Sequence, residues 1–411
     1  MDQSSSCPQS PSGMRVDSLP YWAESYDIPC MYAGNMLSSD KYENYFFYWL
    51  MPNPDTSSSN NSLIIYLNGG PGSTSMNALF TGNGPLRVTE TGTYEDFAIT
   101  YDEDNSWVGL GDLMWIDQPV GTGWSYGEHA ATTLDEIGSD MVTFLLNFYE
   151  EFPAYKTRDL VLTGESFAGK YLSYSAKAIL DYNNDASNDF QFQFTNLVLF
   201  DPLSDNHVER MHQVELPYAL GMYDDFQIDQ MEVLRRRCEE APGLGESQSE
   251  ISSACKNVLN YATEMQGEVY QMDARYFDAD IDPLFAPFKD MFKHSSKIDE
   301  IKDALHITKT DHFSSLNSTV ASEITNREND AAYVYTEVLA QQIPILISVG
   351  MFDMKDGVRQ TLEWIKEIDF DGRETFDTQP RKNFTYYDAD GDLRSGGWYR
   401  HHDYFSVIIT P

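Results

Sequence analysis

The sequence predicts an α/β fold in which a mostly parallel central sheet is covered by helices and carries a helical insertion. Three observations lead to this prediction. Short apolar runs bounded by turn residues recur along the chain, helical patterns lie between several of them, and one long charged stretch interrupts the alternation. Near-continuous apolar strands are typical of parallel sheets buried on both faces, and alternating strands and helices are typical of α/β domains.

The apolar runs predict six strands. They cover residues 62–67, 113–116, 160–163, 197–200, 343–349 and 405–410. Two helices are predicted between them, at 134–152, where an apolar stripe alternates with acids and stops at Pro153, and at 167–180. A strand followed by a helix and another strand of this kind favours right-handed crossover connections.

The chain divides by composition into four parts. Residues 1–30 form an N-terminal extension, 31–206 the first part of the core, 207–325 a helical insertion and 326–411 the second part of the core. The stretch 207–325 is rich in charged and amide residues and has helix-like runs such as 227–237, but no convincing strand. A separate helical domain is the alternative, but strand-like segments resume after this stretch, which favours an insertion.

Charge excludes two classes of partner. The 411 residues include 65 acids and 27 bases, which gives a formal net charge of −38. Such a chain is unsuited to binding a nucleic-acid backbone or an anionic membrane surface. No uninterrupted apolar run reaches the length of a transmembrane helix, and the first fourteen residues lack the apolar segment of a signal peptide. We therefore expect neither nucleic-acid binding nor membrane insertion.

Four cysteines form two pairs that are local in the sequence. Cys7 and Cys30 make one pair and Cys238 and Cys255 the other, without the spacing of zinc or redox sites. An even number in local pairs favours two structural disulfides over four buried thiols. Three N-x-S/T sequons compatible with a secretory route lie at Asn60, Asn317 and Asn383.

No metal or cofactor is expected. Asp388, Asp390 and Asp392 have the spacing of a calcium loop, but Tyr399 stands where such a loop needs its bidentate glutamate. A turn between two segments is the better interpretation.

The sharpest local signal is LVLTGESFAGKY, residues 160–171. A buried strand that passes through Gly164, Glu165 and Ser166 into a helix predicts a nucleophile elbow, a strained turn that projects a serine hydroxyl above the sheet. A serine that merely caps the following helix is the alternative. The strand before Ser166 and the helix after it favour the nucleophile.

A glycine-rich loop follows the first predicted strand. It reads LNGGPG, residues 67–72, and such a tight loop can expose backbone amides for an oxyanion hole. In this fold class, one donor comes from this loop and one from the residue after the nucleophile. That predicts Gly70 and Phe167 as the donors, whereas a purely structural turn is the alternative.

Four segments together resemble the serine carboxypeptidase family. They are LNGGPG (67–72), WIDQPVGTGWSY (115–126), FPAYKTRDLVLTGESFAGKY (152–171) and ALHI (304–307). The resemblance extends from about Tyr32 to the end, is dense over 62–180 and is thin over 207–300. It implies an α/β-hydrolase core with a helical insertion as a cap.

The resemblance also implies a Ser-Asp-His triad. Ser166 matches the nucleophile, and Asp353 matches the acid that orients the imidazole, because it follows a late strand and precedes Trp364 by eleven residues. Asp356 is the alternative acid. The family's histidine follows the last strand, where this sequence reaches Pro411, and His401 and His402 precede that strand. Without this base, we expect these 411 residues to be nearly inactive.

A second implication concerns the free carboxylate of a peptide substrate. The resemblance implies that Asn68, Gly69 and Glu165 hold it, together with a further glutamate whose position is occupied here by Gly82. A carboxyl that shares a proton with the substrate carboxylate favours activity at acid pH. Thr81 or Asn83 is a neutral substitute for the missing glutamate.

Two functions from different classes remain open. The first is a serine carboxypeptidase that releases C-terminal residues through an acyl-enzyme on Ser166, in a vacuolar, lysosomal or secreted setting. The second is a catalytically inactive relative that serves as a binding or structural subunit, and Gly82 and the unmatched histidine favour it. Acyl transfer to another acceptor is a third use of the same fold.

Overall fold

The computed structural model describes residue 7 and residues 13–55, 62–91, 96–267, 269–277, 286–309, 312–325, 331–388 and 390–411. The chain divides into two compact units. The first unit comprises Met1–Thr163, Ala178–Thr195 and Leu284–Ile324, and the second comprises Gly164–Lys177, Asn196–Pro283 and Thr325–Pro411. The four-part division predicted from composition stays a prediction.

Twelve strands and thirteen α-helices are described. The strands are β1 Tyr32–Ser39, β2 Asn44–Met51, β3 Leu63–Leu67, β4 Leu86–Glu90, β5 Phe97–Tyr101, β6 Asp112–Asp117, β7 Leu160–Glu165, β8 Phe194–Phe200, β9 Ile345–Gly350, β10 Lys382–Tyr387, β11 Leu393–His402 and β12 Phe405–Thr410. The helices are α1 Met76–Thr81, α2 Leu134–Glu151, α3 Ala168–Asn184, α4 Asn206–Met211, α5 Glu215–Ala219, α6 Asp225–Glu240, α7 Gln248–Gln266, α8 Pro287–His294, α9 Ile298–Ala304, α10 Ser318–Thr325, α11 Ala332–Ala340, α12 Val358–Trp364 and α13 Arg373–Thr378.

The sheet of the first unit combines antiparallel and parallel pairs. β1 pairs with β2 and β2 with β6 in antiparallel register, whereas β6 and β3 are parallel, with Ile65 opposite Met114. All residues of β3 and β6 are buried, as expected for strands covered on both faces. β4 and β5 form a separate antiparallel hairpin.

Helix α2 follows the rules for helix ends. The Thr133 hydroxyl accepts a hydrogen bond from the Glu136 amide, and the Glu136 carboxylate accepts one from the Thr133 amide, so the two residues form a capping box. The helix ends before Pro153, whose ring cannot continue it. The predicted helix at 134–152 is therefore confirmed within one residue.

The first unit also has an aromatic core. Phe80 stacks on Phe288 with ring centroids 4.9 Å apart, and Trp124 lies edge-on to Phe292 at 5.7 Å. Phe313 contacts both Trp124 and Phe292. Aromatic pairs of this kind add to the stability gained from buried area. They join helix α8 to the loop that follows β6.

The sheet of the second unit is parallel at β8, β9 and β12 and antiparallel at β11 and β10. Ile345 of β9 pairs with Leu197 of β8 and with Phe405 of β12. The carboxyl ends of β8 and β9 therefore lie side by side. In α/β folds, loops that follow such ends carry the functional residues.

Helices α4, α6 and α7 form a small cluster in the second unit. The Cys238–Cys255 disulfide joins α6 to α7, and Met231, Val258 and Ala262 are buried around it. His207 of α4 hydrogen-bonds to the carbonyl of Cys238 at 2.9 Å. The Cys7–Cys30 disulfide is also formed, so both predicted pairs are confirmed.

All six predicted strands are present, as β3, β6, β7, β8, β9 and β12. The described residues of 207–325 contain helices and no strand, as expected from their composition. Among the described residues, no helix combines the length and the apolar character needed to cross a bilayer. Six strands that the sequence analysis did not predict, β1, β2, β4, β5, β10 and β11, are antiparallel to their neighbours where pairing is recorded.

Candidate active site

Ser166 lies on a strained turn between β7 and α3. Its φ is +57°, a left-handed conformation that is uncommon for a residue other than glycine. The turn is held by hydrogen bonds from the Ser166 amide to the Phe200 carbonyl, and from the amides of Leu203 and Gly169 to the Ser166 carbonyl. A strained serine at the end of a buried strand has the geometry of a nucleophile elbow.

Glycine is needed three residues after the serine. A Cβ at Gly169 would lie 2.8 Å from Pro202 Cβ, 2.9 Å from the Leu203 carbonyl oxygen and 3.1 Å from Ser204 Oγ. The Gly169 carbonyl also accepts a hydrogen bond from the Tyr335 hydroxyl at 2.8 Å. The absence of a side chain therefore permits α3 to start close to the segment that follows β8.

The two candidate acids lie in the loop after β9. The Ser166 hydroxyl donates to Asp356 Oδ2 at 3.4 Å, and Asp356 is 2% exposed. Asp353 is 9% exposed, and its Oδ1 accepts from the amides of Lys355 and Asp356 at 2.6 and 2.9 Å. Asp356 thus contacts the serine directly, while Asp353 is fixed by the backbone of its own loop.

Several carboxyls close to this serine have raised pKa values. Burial raises the pKa of Asp201 to about 7, and the charges of Asp356 and Glu165 add to the effect. Burial also raises the pKa of Asp353, again with the charges of Asp356 and Asp201. The pKa of Glu209, which is fully buried, is raised by burial and then by Asp356. Burial and mutual repulsion thus act in the same direction on the pKa of Asp201, Asp353 and Glu209.

Asp201 and Glu209 are part of this acidic group and were missed by the sequence analysis. Asp201 Oδ1 accepts from the Gly350 amide at 2.7 Å, and Glu209 Oε1 accepts from the amides of Ser204 and Asp205. Both acids thus fix the backbone at the carboxyl ends of β8 and β9. The position of Asp201 directly after the predicted strand 197–200 was an available signal, whereas Glu209, nine residues beyond that strand, had none.

The four histidines of the second unit hydrogen-bond or pair elsewhere. Besides His207, His212 pairs with Glu215 at 2.8 Å, His401 with Ser406 Oγ at 2.9 Å and His402 with Asp403 at 3.5 Å. His401 and His402 end the strand that pairs with the start of β12, and β12 is parallel to β9. They lie at the opposite end of the strands from Asp353.

In the first unit, the glycine loop after β3 is held by its own polar groups. The Asn68 amide donates to Ser75 Oγ at 3.0 Å, and Asn68 Oδ1 accepts from the Ala78 amide at 3.3 Å. Gly69 is buried and Gly70 is exposed, with a φ of +111° at Gly70. A Cβ at Gly70 would lie 2.8 Å from the Ser73 amide nitrogen, so only glycine fits.

The predicted oxyanion donors are the amides of Gly70 and Phe167. Among the described residues, neither the Gly70 amide nor the Phe167 amide has a recorded hydrogen-bond acceptor. Phe167 directly precedes α3, where the first amides of a helix have no partner within the helix. Each of these two N–H groups could therefore donate a hydrogen bond to an oxyanion.

Asp117 organises the loops of the first unit and was also missed by the sequence analysis. It is fully buried at the end of β6 and accepts hydrogen bonds from the Thr74 hydroxyl at 2.6 Å, the Ser75 amide at 2.9 Å and the Trp124 amide at 3.1 Å. Burial raises its pKa to about 7, against the lowering effect of these hydrogen bonds. The sequence signal that pointed to Asp117 was its position within the segment WIDQP, residues 115–119.

Gly82 ends the short helix α1, at the position where the resemblance implies a glutamate. The two neutral substitutes considered for it are engaged within the first unit. The Thr81 hydroxyl donates to the Asn77 carbonyl at 2.7 Å, and Asn83 is buried with its Oδ1 accepting from the Trp115 indole at 2.9 Å. In this conformation, both make hydrogen bonds inside the protein.

Comparisons with known proteins agree with the sequence motifs. The family described as serine carboxypeptidase (Peptidase S10) matches residues 27–409. Serine carboxypeptidase S10 family member 2 of Dictyostelium discoideum is 27% identical over 406 residues, which is 95% of this chain and 70% of that protein. Pheromone-processing carboxypeptidase KEX1 of Coccidioides posadasii is 29% identical over 393 residues, 90% of this chain and 59% of that protein. The chain thus spans 59% to 70% of the length of these two relatives.

Solved structures agree as well. The crystal structure of Kex1(delta)p, a prohormone-processing carboxypeptidase from Saccharomyces cerevisiae, aligns with a TM-score of 0.83 at 20% identity and covers 98% of this chain and 92% of that chain. This likeness confirms the predicted α/β fold with its hydrolase core. From the match over residues 27–409, we conclude that the chain belongs to the serine carboxypeptidase family.

Proposed function

We propose that this protein is a serine carboxypeptidase that releases C-terminal residues from peptides through an acyl-enzyme on Ser166. The observation that carries the proposal is the conformation of Ser166, whose φ of +57° places a serine on a strained turn after β7. Such strain persists only where the surrounding structure holds it, and it is concentrated at functional sites. Family membership supports the same activity.

In the proposed reaction, the Ser166 oxygen attacks the carbonyl carbon of the terminal peptide bond, and the hydroxyl proton passes to a general base. The base gives this proton to the nitrogen of the leaving residue as the peptide bond breaks. Water, which passes a proton to the base, then hydrolyses the acyl-enzyme, and the base returns a proton to the Ser166 oxygen. The amides of Gly70 and Phe167 are the proposed donors to the oxyanion, supported by their lack of recorded acceptors among the described residues. Asp353 is proposed as the acid that orients a histidine base.

Asn68, Gly69 and Glu165 are proposed to hold the free carboxylate of the substrate. Glu165 is exposed at the end of β7, next to the nucleophile in the chain. A hydrogen bond between Glu165 and a carboxylate requires a proton on one of them, so we expect faster turnover at acid pH. A rate profile with its optimum at neutral pH would remove this role from Glu165.

A second candidate function is that of a catalytically inactive relative that binds peptides or serves as a structural subunit. The pairing of all four histidines of the second unit with other groups favours it. Removing one member of a triad lowers the rate by several orders of magnitude. Binding of a free C-terminal carboxylate does not require the base, so the two candidates predict different experiments.

A vacuolar, lysosomal or secreted location is proposed for either candidate. Two disulfides are typical of oxidising compartments. Asn383 is exposed on β10 and is the proposed glycosylation site, whereas the Asn317 amide donates to the Gly121 carbonyl at 3.0 Å. Asn60 lies outside the described residues.

A fluorophosphonate probe separates the candidates. We expect it to label the wild-type protein and the Ser139→Ala control, because Ser139 is an exposed serine of α2, and to leave Ser166→Ala unlabelled. Mass spectrometry should then show release of one residue from a peptide with a free C-terminus and none from its amidated form. Binding of the free peptide without labelling would favour the inactive relative, and labelling without release of a residue would contradict the carboxypeptidase proposal.

A further inference from the structure

Strand β10 is the exposed edge of the sheet in the second unit. Among the described residues it pairs only with β11, so the backbone groups on its other side have no strand to bond. Five of its six residues, Lys382–Tyr387, are exposed, and only Phe384 is partly covered. Both faces of β10 therefore meet solvent, whereas β9 of the same sheet buries every second residue.

An edge of this kind favours association with another strand. Natural edges are protected by charges, prolines, bulges or covering groups. In β10, Lys382 is the one charged residue, there is no proline, and the extra residue of the bulge, Gly396, belongs to β11. Phenylalanine, threonine and the two tyrosines of β10 all favour extended strands. Without a covering group, β10 would thus be prone to pair with the same strand of a second copy.

One face of the hairpin also carries exposed apolar side chains. Side chains alternate along a strand, and directly opposed residues of neighbouring strands share a face. The face of interest consists of three such pairs, Asn383–Trp398, Thr385–Ser395 and Tyr387–Leu393. Tyr387 is 73% exposed, Leu393 59% and Trp398 40%. An exposed apolar patch that is rimmed by polar residues marks a surface that binds or is covered.

The same face contains a sequon, formed by Asn383, Phe384 and Thr385. Asn383 is exposed and its Oδ1 accepts from Ser395 Oγ at 2.9 Å, while its Nδ2, the atom that a glycan modifies, has no recorded acceptor among the described residues. Asn317 is different, because it is partly buried and its Nδ2 donates to the Gly121 carbonyl at 3.0 Å. Of these two sequons, the one on β10 has room for a sugar.

We propose that an N-linked glycan on Asn383 covers this face of the hairpin, with its first sugar over Trp398, and hinders copies of the chain from pairing through β10. Directly opposed residues have Cβ atoms about 5 Å apart, so a sugar on Asn383 reaches the indole. A bulky, hydrated glycan beside the edge also obstructs the approach of a further strand. The proposal rests on the secretory location proposed above and not on peptidase activity.

The modification needs a glycosyl donor, an oligosaccharide carried on a lipid diphosphate. Asn383 Nδ2 forms a bond to the anomeric carbon of the first sugar. The bond from that carbon to the diphosphate oxygen breaks, Nδ2 loses one proton, and the lipid diphosphate leaves. The hydroxyl of Thr385 completes the sequon that this transfer requires.

Glycopeptide mass spectrometry of the protein exported through a eukaryotic secretory route tests the site. We expect a glycan on Asn383 in the wild type and in Thr385→Ser, which keeps the sequon, and none in Thr385→Ala, which lacks the hydroxyl. Hydroxyl-radical footprinting should then oxidise Trp398 about twofold faster or more in Thr385→Ala than in Thr385→Ser, because the indole is uncovered. No glycan on Asn383 in the wild type, or equal oxidation of Trp398 in the two variants, would overturn the proposal.

Sedimentation velocity tests the effect on association, at about 0.15 M salt to screen the net charge of −38. Thr385→Ala should associate about tenfold more tightly or more than Thr385→Ser. Adding Tyr387→Lys to Thr385→Ala should reverse this, since a lysine on the edge repels its copy. Adding Tyr404→Lys instead, at an exposed aromatic in the turn after β11, should not.

All three substituted positions are exposed, so we expect every variant to unfold at close to the wild-type temperature, which thermal unfolding checks. Labelling of Ser166 by the fluorophosphonate is a separate readout, so loss of the peptidase proposal would leave this one intact. Equal association of Thr385→Ala and Thr385→Ser, or association that Tyr387→Lys does not reverse, would contradict a role of the glycan at this edge.

Discussion

Asp117 should contribute stability in acid that is lost at neutral pH, and Asp117→Asn should remove that contribution. The carboxyl is fully buried and has a pKa of about 7 in the folded protein, against about 3.9 for an unfolded aspartate. The folded state therefore binds the proton more tightly. The resulting stability is fully present below about pH 4 and is lost as the pH rises through about 7.

The magnitude follows from these two pKa values. Linkage gives a loss of about 2.5 kcal/mol in the free energy of unfolding between about pH 5 and pH 7.5 from this single group. Asp117→Asn should lack this term. It should also cost about 1–3 kcal/mol at any pH, because an asparagine that keeps its oxygen toward Thr74 and Ser75 turns its amide toward the Trp124 donor.

Urea unfolding at several pH values measures both effects. Fluorescence reports on this unit, because Trp115 and Trp124 are buried in it. Other buried carboxyls with raised pKa values, such as Asp140, also contribute to the pH dependence of wild-type stability. The effect of Asp117 is therefore the difference in the free energy of unfolding between wild type and variant at each pH. Asp104→Asn, at an exposed acid of the same unit, is the matched control. Parallel curves for wild type and Asp117→Asn would refute the reasoning.

Two further predictions concern backbone space and the disulfide. Gly123→Ala should destabilise the protein by about 3 kcal/mol or more, because its Cβ would lie 1.7 Å from Asp117 Oδ2 and its φ is +55°. Chemical denaturation should show this, with Gly109→Ala, which has open space around it, close to wild type. Replacing Cys238 and Cys255 by serine should cost about 3 kcal/mol, as expected for a loop of this size. Faster proteolytic cleavage within α6 or α7 would be the readout, and unchanged cleavage would contradict it.

Sequence patterns predicted buried strands such as β6, because its apolar run leaves little alternative, although β2, which is equally apolar and buried, was missed. They did not predict β10 and β11. β10 is mostly exposed, and β11 contains Gly396 and Gly397, so neither presents an apolar run. Pairing with β12 holds β11 in place, and pairing of this kind is a tertiary effect that no local pattern contains.

The sequence likewise predicted some residues of the candidate site and not others. Ser166 was predictable because a turn of this kind needs small residues at fixed positions, and Gly169 meets that need. Asp201, Glu209 and Asp117 were not, because an isolated acid in a sequence is usually solvated. Only the packing of other elements shows that they are buried and accept backbone hydrogen bonds. Asp353 stays a prediction as the orienting acid.

The tight approach of Gly123 to Asp117 also constrains how the sequence can change. The carboxylate occupies the volume that any side chain at residue 123 would need. A relative that carries a larger residue there must have lost or displaced the acid, and a relative that has lost the acid no longer requires glycine. The two positions should therefore vary together among members of the family, as one inherited pair separated by five residues in the chain.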